Sequence, residues 1–370
     1  MYSFLSNKNM LDGVLMNRKH EITYARAIFC LIIVAVHILS NYLRDVELQD
    51  SNRMIVLSFQ ILILFATPCF IILSESLISM VYKDKLPQNF LLKRFKYIMI
   101  PYFLIGSFYI YTKYEVEGNT ETYWQLYKDQ LLIGNWYGWF VIVIFQFYIL
   151  HMLFHKALSK SNPFIILMIS FVISFTHSFL MYDNETYIHW WNEYYPLFHR
   201  TSILYWLFYF VFGFYLGRYY NEVLAFIEKR YIWLVSSLAV VIMSIIYSIY
   251  QNDVTVVQSN RYDILLYSVL AFLFILLIAK KLAKFDISFL YFIGEISFFI
   301  YLTHKIMVYY MAKYTFHFID QFFIYNIATY LFALSLSVGL AVILSFLPFS
   351  RFLIGRNSIN SMIKGNYNMR

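Results

Sequence analysis

An arginine, two histidines and a tyrosine stand inside runs of sequence otherwise suited to hydrocarbon, and their spacing is helical. Arg26 and His37 lie eleven residues apart in YARAIFCLIIVAVHIL. Eleven steps of about 100° close three turns with about 20° over, so both side chains leave one helix face, about 16 Å apart along the axis. A guanidinium at one end suits a phosphate, through a fork of donors that lysine lacks. An imidazole at the other end suits proton transfer near neutral pH. The separation is comparable to an extended phosphopantetheine arm. A second stripe, ISFFIYLTHK, puts Ser297, Tyr301 and His304 at i, i+4 and i+7. Counted from the inner ends of their runs, His304 and His37 have nearly the same depth, so two imidazoles and a phenol are expected to line one cavity in the outer half. Glu75 and Glu295 fall nearer the inner boundary, Glu75 at a depth that predicts pairing with Arg26. Ionisable groups inside spans are costly, which makes each a functional candidate. The plainer alternative is an Arg26 that snorkels to headgroups, a His37 bonded to a neighbouring helix, and acids that fix packing.

These residues need elements that lipid permits. Of 370 residues, 61% are hydrophobic, 22% aromatic and only 14% charged, against about 25% charged in a soluble domain. A water-soluble fold and a sizeable disordered region are excluded. A spanning helix takes about 20 mainly apolar residues, and ten such runs are found, near 22–43, 54–82, 97–112, 136–154, 162–181, 201–217, 231–250, 263–279, 287–310 and 322–347. Runs such as IVLSFQILILFATPCFIILS lack the period of two that a barrel requires. The expected fold is an all-α bundle of about ten transmembrane helices in the cell membrane, with lipid as its surroundings. With the N-terminus inside, inner segments hold 20 of the 29 basic residues and outer loops seven, with Arg26 and Lys305 in spans; the acids divide six inside and thirteen outside. Both termini are therefore expected in the cytoplasm. The first apolar run follows a polar start without a small-residue cleavage pattern and reads as a retained span. The expected division is an N-terminal tail over 1–21, one membrane domain over 22–348 and a C-terminal tail over 349–370. Pro68 is expected to kink the second span, Pro163 to open the fifth and Pro348 to close the tenth. Gly213 and Gly217 have the spacing of closely packed helices.

Other residues are assigned less. Cys30 and Cys69 sit in apolar runs as packing residues. No metal-ligand spacing appears: His151, His155, His177 and His317 read as boundary residues, His189 and His199 as loop residues. The net charge of +8 forms no single basic face, so nucleic acid is not an expected partner. Trp124, Trp136, Trp139, Trp190 and Trp191 cluster in or beside outer loops, where Trp136 and Trp139 are candidates to stack on sugar rings. The acidic outer loops suit a cationic polymer.

Taken together, Arg26 and His37 at this spacing, LLKRFKYIMIPYF, WYGWF and SFFIYLTH make the chain similar to the acyltransferase 3 family, from Glu21 to about Arg356. The family O-acylates surface polysaccharides. Within it, the chain most resembles the intercellular-adhesion members, which belong to the machinery that makes and exports poly-β-1,6-N-acetylglucosamine, a biofilm polymer. The resemblance implies an acyl-CoA donor substrate, carrying acetyl or succinyl, a polymer acceptor, and a polysaccharide synthase as partner in the same membrane. It implies that His37 deprotonates the acceptor hydroxyl or relays its proton, that Arg26 holds the donor with Glu75 nearby, and that His304 and Tyr301 share the site. Lys305 stands where many members have proline, a departure that adds a cation. The resemblance leaves two readings open, an O-acyltransferase and a translocator that exports the polymer without acyl transfer. Spans five, seven, eight and ten hold little polar beyond Ser, Thr and Tyr, which favours the enzyme over a single-chain pore.

Overall fold

In lipid the backbone must satisfy its own hydrogen bonds, and helices do so within one segment. The structure, a computed structural model, describes residues 20–83, 85–117, 122–251, 257–315 and 322–355, and among these no strand occurs. Much of both expected tails, and His317, lie outside the described residues. In chain order the helices are α1 (His20–Asp45), α2 (Asp50–Ile63), α3 (Ala66–Val81), α4 (Phe90–Arg94), which passes through a π turn (Phe95–Met99) into α5 (Ile100–Glu117), α6 (Tyr123–Tyr127), α7 (Trp139–Lys160), α8 (Pro163–Asp183), α9 (Glu185–Tyr194), α10 (Ile203–Arg218), α11 (Tyr220–Lys229), α12 (Tyr231–Gln251), α13 (Leu265–Leu282), α14 (Ser288–Thr315), α15 (Phe322–Ser345) and α16 (Ser350–Ile354). Among the described residues, eight helical stretches are long and apolar enough to cross a membrane: α1, α2 with α3, α7, α8, α12, α13, α14 and α15. The chain is a multi-pass membrane protein. The two further apolar runs of the sequence fall on α5 and on α10, and α10 has only 16 residues.

The second span breaks between α2 and α3, at Leu64 and Phe65, just before Pro68. Proline has no N–H to give to the carbonyl four residues earlier, and Leu64 O accepts instead from the Thr67 N–H at 3.3 Å. Nearby, the Tyr267 hydroxyl donates to Leu62 O at 2.6 Å, tying α13 to the bend. Pro163 opens α8 behind the Asn162 cap, and α15 ends three residues before Pro348.

The core is aromatic, with α1 packed against α14, α13 and α3, and α10 against α3 and α8. Gly213 and Gly217 let α10 lie directly on α3. A Cβ on Gly213 would stand 2.8 Å from Ile72 O, and one on Gly217 would meet Ser76 O and lie 2.8 Å from the Ser79 Cβ. Gly217→Val is therefore expected to lower stability by about 1–3 kcal/mol through overpacking, read as an earlier thermal transition in detergent. Gly294 does the same service between α14 and α1, where its bare Cα faces Thr23 O. That contact brings the two helices carrying the candidate residues side by side.

Candidate functional site

Helices α1 and α14 run in the same direction and bear polar groups at matching heights. At one end the Arg26 guanidinium lies 4.0 Å from the Glu295 carboxylate, whose side chain is 4% exposed. At the other end the rings of His37 and His304 stand side by side, 5.0 Å between centres. His304 is fully buried, and its Nδ1–H donates to Ile300 O at 2.9 Å, one turn earlier. In the neutral imidazole that bond places the proton on Nδ1 and leaves Nε2 as the basic nitrogen. Nε2 has no partner among the described residues.

Between the two ends lies a cavity of about 610 Å³. Arg26, Arg94 and Glu295 are its charged groups, and Tyr301 and Ser297 are polar groups contributed by α14. Arg94 is held over the rings of Phe90 and Tyr148, at 5.2 and 5.3 Å from their centres. Its walls are otherwise largely apolar, from Phe70, Leu73 and Leu77 on α3 to Phe140 and Ile144 on α7. Tyr301 lies between this cavity and His304, 6.1 Å from the imidazole centre to centre. Its hydroxyl donates to Tyr137 O at 2.7 Å, and the Tyr137 hydroxyl donates to Leu302 O at 2.6 Å. The two phenols thus lock α14 to the start of α7 and separate the cavity from the histidine pair. Lys305 places its ammonium 5.5 Å from the Tyr137 ring centre, and the positive charges of Lys305 and Arg200 act on His37. Outside the spans, burial pushes the His199 imidazole down to about 4, helped by neighbouring Arg200. His199 is therefore neutral at pH 7, so the positive field from that loop is that of Arg200.

Several expectations change. Glu75 does not pair with Arg26; it faces away from the cavity and meets His151 Nδ1 at 2.5 Å, with both side chains 2% exposed or less. The two residues share a depth but not an azimuth, and Arg26 has Glu295 instead. Trp136 and Trp139 are buried, at 5% and 8% exposure, rather than presented to solvent. The Trp136 indole N–H donates to the Tyr102 hydroxyl at 2.8 Å, and Trp139 stacks on Trp206 at 5.3 Å. Trp124 and Trp190 are exposed. His151 and His155 form a buried, stacked pair on α7, 5.6 Å between centres. Their i, i+4 spacing is the visible signal, and it places both rings on one helix face.

The family model of the acyltransferase domain (Acyl_transf_3) matches residues 19–346. A Staphylococcus aureus (strain MRSA252) protein, "Probable poly-beta-1,6-N-acetyl-D-glucosamine export protein", is 36% identical over 91% of this chain and 95% of its own. A Staphylococcus epidermidis protein of the same description is 32% identical over the same shares. No solved structure matches. A domain match from 19 to 346 and relatives this similar along nearly their whole length place the chain beyond ambiguity: it belongs to the acyltransferase 3 family.

Proposed function

We propose that this protein is a membrane O-acyltransferase that moves an acetyl or succinyl group from cytoplasmic acyl-CoA onto hydroxyls of poly-β-1,6-N-acetylglucosamine, as part of the making and export of that polymer for biofilm. The observation that supports it most is the alignment on α1 and α14 of a cationic cavity, Arg26 with Arg94, and an unpartnered His304 Nε2 beyond Tyr301. The reading takes α5 and α10 as two further spans, ten in all, with both termini cytoplasmic. The cavity then opens inward, the histidine pair lies in the outer half, and a polysaccharide synthase in the same membrane supplies the acceptor.

The donor fits the residues present. The guanidiniums meet its phosphates, with Glu295 as the residue that orients Arg26, and the apolar walls take the pantetheine arm, whose thioester reaches Tyr301. The acceptor hydroxyl gives its proton to His304 Nε2, directly or through His37, as its oxygen attacks the thioester carbonyl. Lys305 and Arg200 face the negative charge that develops there. The C–S bond then breaks, the imidazolium returns the proton to the departing thiolate, and the products are a polymer ester and the free thiol. Each ester formed moves one proton inward.

The test compares wild type with His37→Ala in membranes that also contain the synthase, measuring polymer outside and the acyl esters on it. Loss of ester with polymer still exported supports this reading. Polymer trapped inside, with no ester on the wild-type product, would replace it with a translocator, the reading that the relatives' description favours. Arg26→Ala is expected to raise KM for acyl-CoA about 10–100-fold with kcat changed less, because a charge-assisted bond to phosphate contributes about 1.5–3 kcal/mol to donor binding. Steady-state kinetics at saturating acceptor checks it.

A further inference from the structure

A second cavity, of about 410 Å³, shares no residue with the donor cavity. It is enclosed by the end of α8 (Ser178, Met181, Tyr182), the start of α10 (Tyr205) and the segment before α13 (Gln258, Asn260, Arg261). Its size falls in the range of about 300–1,000 Å³ typical of small-molecule sites. It lies at the same end of the bundle as the histidine pair, for Arg200, whose charge reaches His37, accepts the Trp206 indole N–H at its carbonyl, 2.8 Å away.

Two polar groups of this cavity, Ser178 and Asn260, are buried and incompletely satisfied. Ser178 is 3% exposed and its Oγ has no partner among the described residues; Asn260 is 8% exposed, lies beside the Tyr205 hydroxyl, and leaves Oδ1 without a partner among them. Each buried orphan costs about 1–3 kcal/mol unless something fills it. The one strong charge lining the cavity is already neutralised: Arg261 holds Asp263 through two bonds, Nε to Oδ1 at 2.9 Å and Nη2 to Oδ2 at 2.5 Å. A neutral cavity with a spare acceptor, a spare hydroxyl and an amide at Gln258 does not select an anion such as a phosphate headgroup. The rings of Tyr182 and Tyr205 offer flat apolar faces, and His177 backs Tyr205 at 4.3 Å. Flat apolar faces rimmed by neutral hydrogen-bonding groups complement a pyranose. An N-acetyl substituent adds an N–H for Asn260 Oδ1 and a carbonyl for the Gln258 or Ser178 donors.

We infer that this cavity is a saccharide subsite, holding a neutral N-acetylhexosamine residue of the acceptor chain other than the one being acylated. The inference rests on the proposed function for the identity of the chain it holds. The test is calorimetric titration of the full protein, in lipid nanodiscs, with a β-1,6-linked N-acetylglucosamine tetramer. Asn260→Ala and Tyr182→Ala are each expected to weaken binding about tenfold, and Tyr182→Phe to keep it. Tyr182 is 41% exposed, so its variants are expected to fold, and a thermal scan of each verifies this; they decide the matter if Asn260→Ala does not fold. Wild-type affinity in both alanine variants, no binding by wild type, or displacement of the tetramer by glycerol phosphate would overturn the subsite. If the tetramer binds here while the wild type transfers no acyl group, the transferase reading fails and the subsite stands. If transfer proceeds while the variants bind unchanged, the subsite alone fails.

Discussion

Replacing His304 by alanine is expected to lower acyl transfer about 10²–10⁴-fold, the usual contribution of a positioned general base, with KM for acyl-CoA nearly unchanged. The split follows from the geometry. Arg26 and Arg94 line the donor cavity, whereas His304 lies beyond Tyr301 and touches none of it. His304→Asn separates chemistry from packing, because its amide N–H can still reach Ile300 O while no basic nitrogen remains. Asn and Ala variants of equal inactivity would mark Nε2 as the working atom. An Asn variant that transferred within about threefold of wild type, far short of the loss expected of a missing base, would show that position 304 only fills space. His37→Ala is expected to fall between, since His37 is half-buried beside His304 and can relay a proton without being its first acceptor. Radiolabelled acyl transfer at saturating donor measures all three.

The pairing of His37 with His304 is legible in the sequence because a membrane supplies a ruler. Depth follows from counting residues at about 1.5 Å each from a boundary, and both histidines sit on stripes of known phase. What depth does not supply is azimuth. Glu75 and Arg26 are level, yet α3 turns Glu75 toward α7 and presents Leu73, Ser74 and Leu77 to the cavity instead. Which neighbour a buried side chain meets depends on how helices close around it, and that is set partly by Gly213, Gly217 and Gly294. Residue type misleads at Trp136 and Trp139. Tryptophans near a boundary ordinarily form an interfacial belt, but the WYGWF turn folds inward, where Tyr102 accepts one indole N–H and Trp206 stacks on the other ring. Arg94 lies in a basic run whose sequence signal is orientation alone. Its place in the cavity comes from the π turn that follows it and from the two rings beneath its guanidinium, neither of which has a spacing to read.

Glu75→Leu is expected to lower stability by about 2–3 kcal/mol, and Glu75→Leu with His151→Phe to return most of it. Two magnitudes compete. Leaving one member of a buried hydrogen-bonded pair unsatisfied costs about 1–3 kcal/mol in a soluble protein, whereas polar contacts between membrane helices average only about 0.6 kcal/mol, because helices left apart in lipid find other partners. The greater cost is expected to prevail at this pair. Glu75 Oε2 and the Nε2 atoms of His151 and His155 already lack partners among the described residues, so removing the Glu75 carboxyl group strands His151 Nδ1 as well. Removing both polar groups at once takes away the desolvation penalty along with the bond, which is why the double variant recovers. Unfolding in mixed lipid and detergent micelles measures the cycle, and a single variant within about 0.6 kcal/mol of wild type would place the pair with ordinary helix contacts. The effect reaches function through the other face of α3. Leu73, Ser74 and Leu77 wall the donor cavity, and Ser74 is bonded to the Tyr148 hydroxyl of α7 at 3.2 Å. A helix loosened at Glu75 loses that wall, so the single variant should raise KM for the acyl donor and the double variant should bring it back.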